Sequence, residues 1–384
     1  MVNIFTIHNA LLSVALKIAG MKSEKVEIEP GTVMNFWVPS KTTDKNIPKK
    51  PAVVFLHGFA ANGILTWQFQ VLSLANKYAV YVPDFLFFGD SITDRPDRSP
   101  SFQADCVAKG LTKLGVQKCT LVGLSYGGMV GFKMAQLYPT LVHSMVVTCS
   151  VMALTESISS ESLHRIGFDS WPDFLLPETA QGVKDMFHAG TYKLPSFPNW
   201  FYQQCLEAMF DNRKEKKQLL EALIMSDSEF SVPDYRQDRQ TSRVVLRRML
   251  KEGLYQLDMS LLAPGTLSAP SSPQSLCLTS VASQSRCNKL SPSLSQVDVW
   301  HRRLGHPSSL VLSQVFKMSN RVSLLWGHND KIFNMETASN LKKEIGENAT
   351  LESIEKAGHL VPTERPCVYN NHLKKILADL LEDN

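Results

Sequence analysis

Between residues 25 and 149 the apolar positions alternate between two periods. Short runs rich in β-branched and aromatic residues give way to longer stretches of helical spacing. Residues 25–28 and 32–38 (TVMNFWV) read as strands, and 52–58 (AVVFLHG) as a buried strand. A helix pattern at 64–76 leads to a strand at 78–85 (YAVYVPDF). A helix at 101–114 leads to the strand 119–125 (CTLVGLS), and one at 126–138 to the strand 143–149 (HSMVVTC). Alternation of this kind predicts βαβ units, hence a mostly parallel sheet with helices on both faces.

The alternation then stops. Residues 151–237 are rich in helix formers and aromatics, among them Trp171, Phe174, Phe187, Trp200, Phe201 and Phe210, and no buried parallel strand is expected there. They read as a helical cap. The sheet pattern resumes with 321–327 (RVSLLWG), a helix at 335–345, a last strand at 349–355 (ATLESIE) and a last helix at 366–382. Residues 238–320 fit neither part. Within them, 260–297 hold eleven serines and four prolines and no Asp or Glu. Such a composition buries little apolar surface and predicts a largely disordered insertion. The expected division is an N-terminal amphipathic helix (1–24), a first core part (25–150), the cap (151–237), the insertion (238–320) and a second core part (321–384).

In residues 1–20, Asn3, Thr6, Asn9, Ser13 and Lys17 recur every three to four positions and draw a polar stripe down a helix. The apolar run is too short and interrupted to span a bilayer, and it lacks the basic start of a signal peptide. Two readings fit: a helix packed on the protein's own surface, or an interfacial helix making peripheral membrane contact. A cytoplasmic location is expected.

Composition adds limits rather than a fold. With 44% apolar and 20% charged residues, whole-chain disorder, collagen and coiled coil are excluded. The seven cysteines are scattered, odd in number and never spaced C-x-x-C, which suits a reducing compartment better than a disulfide framework. The net charge of +4 is uneven: 238–320 carry ten Lys/Arg against four Asp/Glu, so this segment differs in kind from the rest.

Gly123-Leu124-Ser125-Tyr126-Gly127 matches G-x-S-x-G, with an apolar strand running into the serine and a helix pattern running out. A nucleophile on so sharp a strand-to-helix turn needs neighbours without side chains two residues either side. A serine hydroxyl also needs a base, and the base an orienting acid. His359 lies just past the last strand, at the sheet edge where chemistry collects in open α/β sheets. Asp330 follows the strand 321–327 and precedes His359, which completes the order Ser125, Asp330, His359. His57, at the start of the turn after its strand, reads as structural. Asp84 ends a strand but precedes the serine, so it is set aside as the acid. An oxyanion needs two donors. The N–H of Tyr126 at the helix start is one candidate; the other is the N–H of Phe59, with Ala60 as the alternative.

The segments VEIEPGTVMNFWVP (26–39), FLHGFAANGILTWQFQ (55–70), YVPDFLFFGDS (81–91), LVGLSYGGMVGFKMA (121–135), LLWGHNDKIFN (324–334) and ESIEKAGHLVPTERP (352–366) together resemble plant serine hydrolases of the α/β-hydrolase superfamily, of the monoacylglycerol-lipase/esterase-like type. The resemblance covers about 300 of the 384 residues. It implies the α/β-hydrolase fold and the same triad and oxyanion roles for the residues just named. The chain departs from it at His328, where many relatives look acidic. Two further stretches, DRQTSRVVLRRMLKEGLYQL (238–257) and VWHRRLGHPSSLVLSQVFK (299–317), resemble the gag-pre-integrase segment of copia-type retrotransposon polyproteins. His301 and His306 would be half of that family's zinc set. The C-x-x-C half is missing, so no metal site is expected. Nucleic-acid binding is not expected either, because stacking aromatics are nearly absent from the segment.

The leading expectation is a serine hydrolase that cleaves carboxylic esters of apolar or lipophilic substrates through an acyl-enzyme, without a cofactor. Alternatives are a non-catalytic ligand-binding protein on the same fold, a pseudoenzyme inactivated by its insertion, and a C–C bond hydrolase. Epoxide hydrolases and haloalkane dehalogenases need a carboxylate where this chain has Ser125. Closure entropy grows slowly with loop length, so the 83 residues of the insertion cost a few kcal/mol at most. A variant joining Gln237 to Arg321 is therefore expected to be at least as stable in denaturant and at least as active on short esters. Limited proteolysis of the full chain is expected to cut first within 260–297. Unfolding of the deletion variant beside a well-behaved full chain would make the segment part of the cap.

Overall fold

In the computed structural model, residues 3–40, 50–230 and 321–381 are described, together with the backbone of 248–251 and 254–257. The chain divides into two units, Met1–Tyr235 with Met318–Asn384, and Arg236–Lys317. Of the second unit, only an antiparallel pair is described, β10 (Arg248–Lys251) on β11 (Leu254–Leu257). The expectations for 260–297 and for His301 and His306 lie outside the described residues.

The first unit is built on a sheet of nine strands among the described residues. β1 (Met21–Glu29), β2 (Thr32–Pro39) and β5 (Ile92–Thr93) are its antiparallel side. β2 also pairs antiparallel with β4 (Ala79–Pro83), and from there the sheet is parallel. β3 (Ala52–Leu56), β6 (Cys119–Leu124), β7 (Val142–Thr148), β12 (Arg321–Gly327) and β13 (Ala349–Ile354) follow in that spatial order after β4. The two central strands are buried nearly throughout: Val53 to Leu56 and Leu121, Val122 and Leu124 expose almost nothing. Burial on both faces is why their sequences read as continuous apolar runs rather than alternations. β1 is longer than the 25–28 expected. Met21, Val26 and Ile28 are buried, Lys22 and Glu24 half-buried, and Ser23, Lys25 and Glu27 exposed, so polar and charged residues hid its first half.

Helices cover both faces. α1 (Ile4–Ile18) precedes the sheet, and α2 (Gly63–Leu74), α3 (Pro100–Lys113) and α4 (Tyr126–Leu137) connect its strands. α10 (Met335–Ile345), α11 (Val361–Glu364) and α12 (Pro366–Leu381) complete the layers. Local chemistry sets their starts: Asn62 caps α2 by accepting from Leu65 N–H, and Ser99 caps α3 with Pro100 in the first turn. The cap consists of α5 (Glu156–Ile166), α6 (Trp171–Leu175), α7 (Ala180–Gly190), α8 (Asn199–Met209) and α9 (Arg213–Glu221). Its two ends are tied by a two-residue parallel pair, β8 (Leu154–Thr155) with β9 (Ile224–Met225). That pair corrects the expectation of a strand-free cap; two residues are too few to leave a period in the sequence.

Trp326 in β12 is fully buried, and its indole N–H donates to the Phe333 carbonyl at 2.8 Å. The ring thus ties the strand to the loop that follows it. Trp326→Ala is expected to cost about 3–5 kcal/mol from the cavity it leaves, read as a lower urea midpoint with unchanged m-value.

Candidate active site

β3, β4, β6, β7, β12 and β13 all end on one edge of the sheet, and the turn after each delivers a polar or nucleophilic residue there: His57, Asp84, Ser125, Cys149, Asp330 and His359. Ser125 joins β6 to α4 with φ 52° and ψ −119°, a left-handed conformation that a serine occupies only under constraint. The constraint is packing. A Cβ on Gly127 would run into the Leu56 and His57 carbonyls, and one on Gly123 into the Gly127 carbonyl and Gly128 Cα. The helix start therefore lies directly on β3. Ser125 N–H donates to Thr148 O at 3.0 Å, and Ser150 Oγ donates to Ser125 O at 2.6 Å. These bonds hold the strained residue from the β7 side.

His359 and Asp330 meet. His359 Nδ1 lies 2.8 Å from Asp330 Oδ2, with both side chains buried. The other oxygen of Asp330 accepts from Ile332 N–H at 2.8 Å and Phe333 N–H at 3.1 Å. The carboxylate is thus aimed by its own loop, and Nδ1–H is the tautomer that it selects. Their two loops are laced together: Asn329 N–H donates to Ala357 O, and a Cβ on Gly327 would collide with Gly358 O. His328 points elsewhere, to Glu355 at 3.2 Å, and is half exposed.

Glu364 was not foreseen. One oxygen accepts from Gly358 N–H at 2.7 Å; the other accepts from Tyr192 N–H at 2.8 Å and Lys193 N–H at 3.0 Å. This carboxylate fastens the His359 loop to the cap. Cys149 was not foreseen either. It is buried with φ 47°, its sulfur accepts from Gly327 N–H, and its ligand atom lies within 4.8 Å of those of Asp330 and His359. Burial pushes its thiol well above the usual value, with the Asp330 charge adding to the effect.

Ser125 and His359 line one cavity of about 280 Å³. Its wall also includes Gly58, Phe59, Ala60 and Tyr126, so both candidates for the second oxyanion donor face the same space. Tyr126 is the first residue of α4, and its N–H has no partner within the helix. Ala60 has φ 77°, which turns the loop after β3 sharply. The rest of the wall is mostly apolar, with Thr66, Gln68 and Thr363 as its polar members, and the cap contributes Trp171, Phe174, Met186 and Phe187 to it.

His57, expected to be structural, and Asp84, set aside as the acid, both tie loops together. His57 Nε2 accepts from Phe85 N–H at 2.9 Å, so Nδ1 carries the proton and donates to Gly58 O at 2.7 Å. The ring joins the loop after β3 to the loop after β4. Asp84 accepts from Asn35 Nδ2 and from Gly63 N–H, and burial lifts its carboxyl to about 6. Burial drives the imidazole of His57 down to about 3, with Lys216 adding to the effect against the bond to Gly58.

The family model described as alpha/beta hydrolase fold matches residues 51–366. Epoxide hydrolase 4 of Homo sapiens is 26% identical over 160 residues, which are 40% of this chain and 38% of that protein. Pimeloyl-[acyl-carrier protein] methyl ester esterase of Aeromonas hydrophila is 30% identical over 144 residues, 37% of this chain and 50% of that protein. The chain thus spans half or less of the curated relatives it matches. Among solved structures, 2-hydroxy-6-oxo-6-phenylhexa-2,4-dienoate hydrolase from Rhodococcus sp. strain RHA1 shares the fold. Its TM-score is 0.58 at 17% identity, covering 92% of this chain and 98% of that one.

The buried imidazole has a consequence for stability. An unfolded histidine titrates near 6.5. Between that value and about 3 the unfolded chain therefore holds a proton that folded His57 does not. The contribution of His57 is complete above about pH 6.5 and is lost as pH falls toward 3. From pH 7 to pH 4 the loss is about 3 kcal/mol from this group. In urea unfolding at the two pH values, the His57→Gln variant should lose that much less stability than the wild type. Equal losses would mean that His57 is protonated in the folded state.

Proposed function

The chain belongs to the alpha/beta hydrolase fold family, and from that membership we propose that it is a serine hydrolase of carboxylic esters with apolar acyl groups. The observation that carries this reading is one arrangement: Ser125 on a left-handed strand-to-helix turn, lining the same apolar cavity as His359, whose Nδ1 is 2.8 Å from Asp330.

In this reading Ser125 Oγ attacks the ester carbonyl as His359 Nε2 takes its proton. Asp330 keeps the imidazole in the Nδ1–H tautomer and stabilises the imidazolium that forms. The oxyanion is held by the N–H groups of Tyr126 and Phe59. His359 then returns the proton to the leaving alcohol, and water repeats the sequence on the acyl-enzyme. No step needs a cofactor or a metal. The apolar cap wall favours an aliphatic or lipophilic acyl chain, as in the monoacylglycerol-lipase/esterase-like enzymes whose motifs this chain resembles. Residues 238–320, with their own resemblance and charge, are part of the proposal only as an insertion of separate origin between cap and β12.

Ser125 at the turn argues against epoxide-hydrolase chemistry, which the first-named relative's designation brings to mind, because that reaction needs a carboxylate nucleophile. A fluorophosphonate probe should label the wild type, and Ser125→Ala should abolish labelling. Turnover of p-nitrophenyl esters should fall by several orders of magnitude in Ser125→Ala and by roughly 10⁴ in Asp330→Asn, where the tautomer is lost. Full turnover in Ser125→Ala would overturn the mechanism. Labelling without turnover of any ester in a series of acyl lengths would favour C–C bond hydrolysis or ligand binding.

A further inference from the structure

α1 is apolar on two faces. Leu12 and Leu16 are buried against the protein. Ile4, Ile7, Leu11, Val14 and Ile18 recur at spacings of three and four residues along the opposite side and are exposed, Leu11 to 67% and Ile18 to 83%. A helix that merely packs on its own protein needs the first face only. The polar residues Thr6, Asn9, Ser13 and Lys17 are confined to a narrow strip beside these two faces. An exposed apolar stripe of this regularity marks a surface that meets something else.

We propose that this outer face of α1 docks the protein on a lipid bilayer surface, with the helix axis lying in the plane of the interface. Three observations select lipid as the occupant. The first is charge: residues 1–23 contain no Asp or Glu, and Lys17 is the exposed charge of the helix. A face without carboxylates meets anionic headgroups without repulsion. The second is continuity with the cavity. Phe5, on the same helix, lines the cavity that holds Ser125 and His359, and its ring lies 6.0 Å from that of Phe201. The third is the neighbouring helix. Asn3 Nδ2 donates to Gln204 O, and Ile4 N–H to Gln204 Oε1 at 2.7 Å, which fixes α1 on α8. There Trp200, next to Phe201, is 54% exposed, and a ring with an apolar body and a polar N–H suits the headgroup boundary. Among the described residues no helix is long and apolar enough to cross a membrane, so the contact is peripheral.

The docking goes beyond the ester-hydrolase reading and does not depend on it. The test is flotation of the full chain with phosphatidylcholine vesicles, with and without phosphatidylglycerol. The protein should float with both, up to roughly fivefold more strongly with the anionic lipid, as expected of one basic side chain near the surface. The double variant Leu11→Glu, Ile18→Glu should lower vesicle partitioning by roughly tenfold or more. It should keep a cooperative urea transition near the wild-type midpoint, which reports that it is folded whether or not the chain hydrolyses esters. The milder pair Ile7→Ser, Leu11→Ser should weaken binding in the same direction. Ser125→Ala should float like the wild type whether or not the chain hydrolyses esters. Absence of flotation, or undiminished flotation of the double variant, would overturn the proposal. So would a dimer in sedimentation velocity that the double variant dissociates, because the face would then belong to a second copy.

Discussion

The structure depends on one close approach, that of the β6–α4 turn to β3. Gly127 lies so near the Leu56 and His57 carbonyls that no side chain fits between them. That contact forces Ser125 into a left-handed backbone, which costs on the order of 1–3 kcal/mol. Two fully buried central strands and the hydrogen bonds of Ser125 to Thr148 and Ser150 offset it. The turn leaves Ser125 and Tyr126, the first residue of α4, lining the same cavity. Gly123, Gly127 and Gly128 are therefore requirements of packing, and the motif is legible because its glycines cannot be anything else.

Around this turn the polar groups are buried and nearly all have partners, and each pairing fixes a loop. His57, held neutral by burial, receives Phe85 N–H and gives its proton to Gly58, so the loops after β3 and β4 move together. Asp84 ties the start of α2 to Asn35 of β2. Asp330 satisfies two N–H groups of its own loop with one oxygen and orients His359 with the other. A buried group left unpaired would cost more than its bond contributes. These residues therefore define loop positions far more sharply than surface contacts could.

The parallel strands were legible because burial on both faces writes continuous β-branched runs. Ser125, Asp330 and His359 stand out in the sequence as candidates because chain order and strand ends restrict where a nucleophile, an acid and a base could sit, and the fold pairs two of them and puts Ser125 and His359 on one cavity. What was hidden acts across distant positions. Glu364 lies on a four-residue helix in an otherwise ordinary polar stretch, and only the folded chain brings it to Gly358 and Tyr192 together. Cys149 sits at the end of a strand like any buried cysteine until β12 is placed beside it. β8 and β9 are two residues each, below any detectable period. For α1 the period announced a helix and its polar stripe. It could not say which of two apolar faces the protein would cover, because Leu12 and Leu11 are equivalent to any measure of hydropathy.

The sheet edge and the cap divide the work. The candidate site residues stand on strand ends, where hydrogen-bonded neighbours fix them, whereas a large apolar part of the cavity wall comes from the cap helices. Asn212 Nδ2 donates to Phe87 O, Arg98 donates to Gln218, and α1 donates to Gln204. Arg165 donates to Ile332 O at 2.8 Å and Lys331 to His188 O at 3.1 Å, so both reach between the cap and the loop of Asp330. Glu364 does the same for the loop of His359. The cap is therefore tied to the loops of Asp330 and His359 as well as to α1 and the loop after β4. On the proposed ester-hydrolase reading, substrate choice varies with the cap and the chemistry stays with the edge.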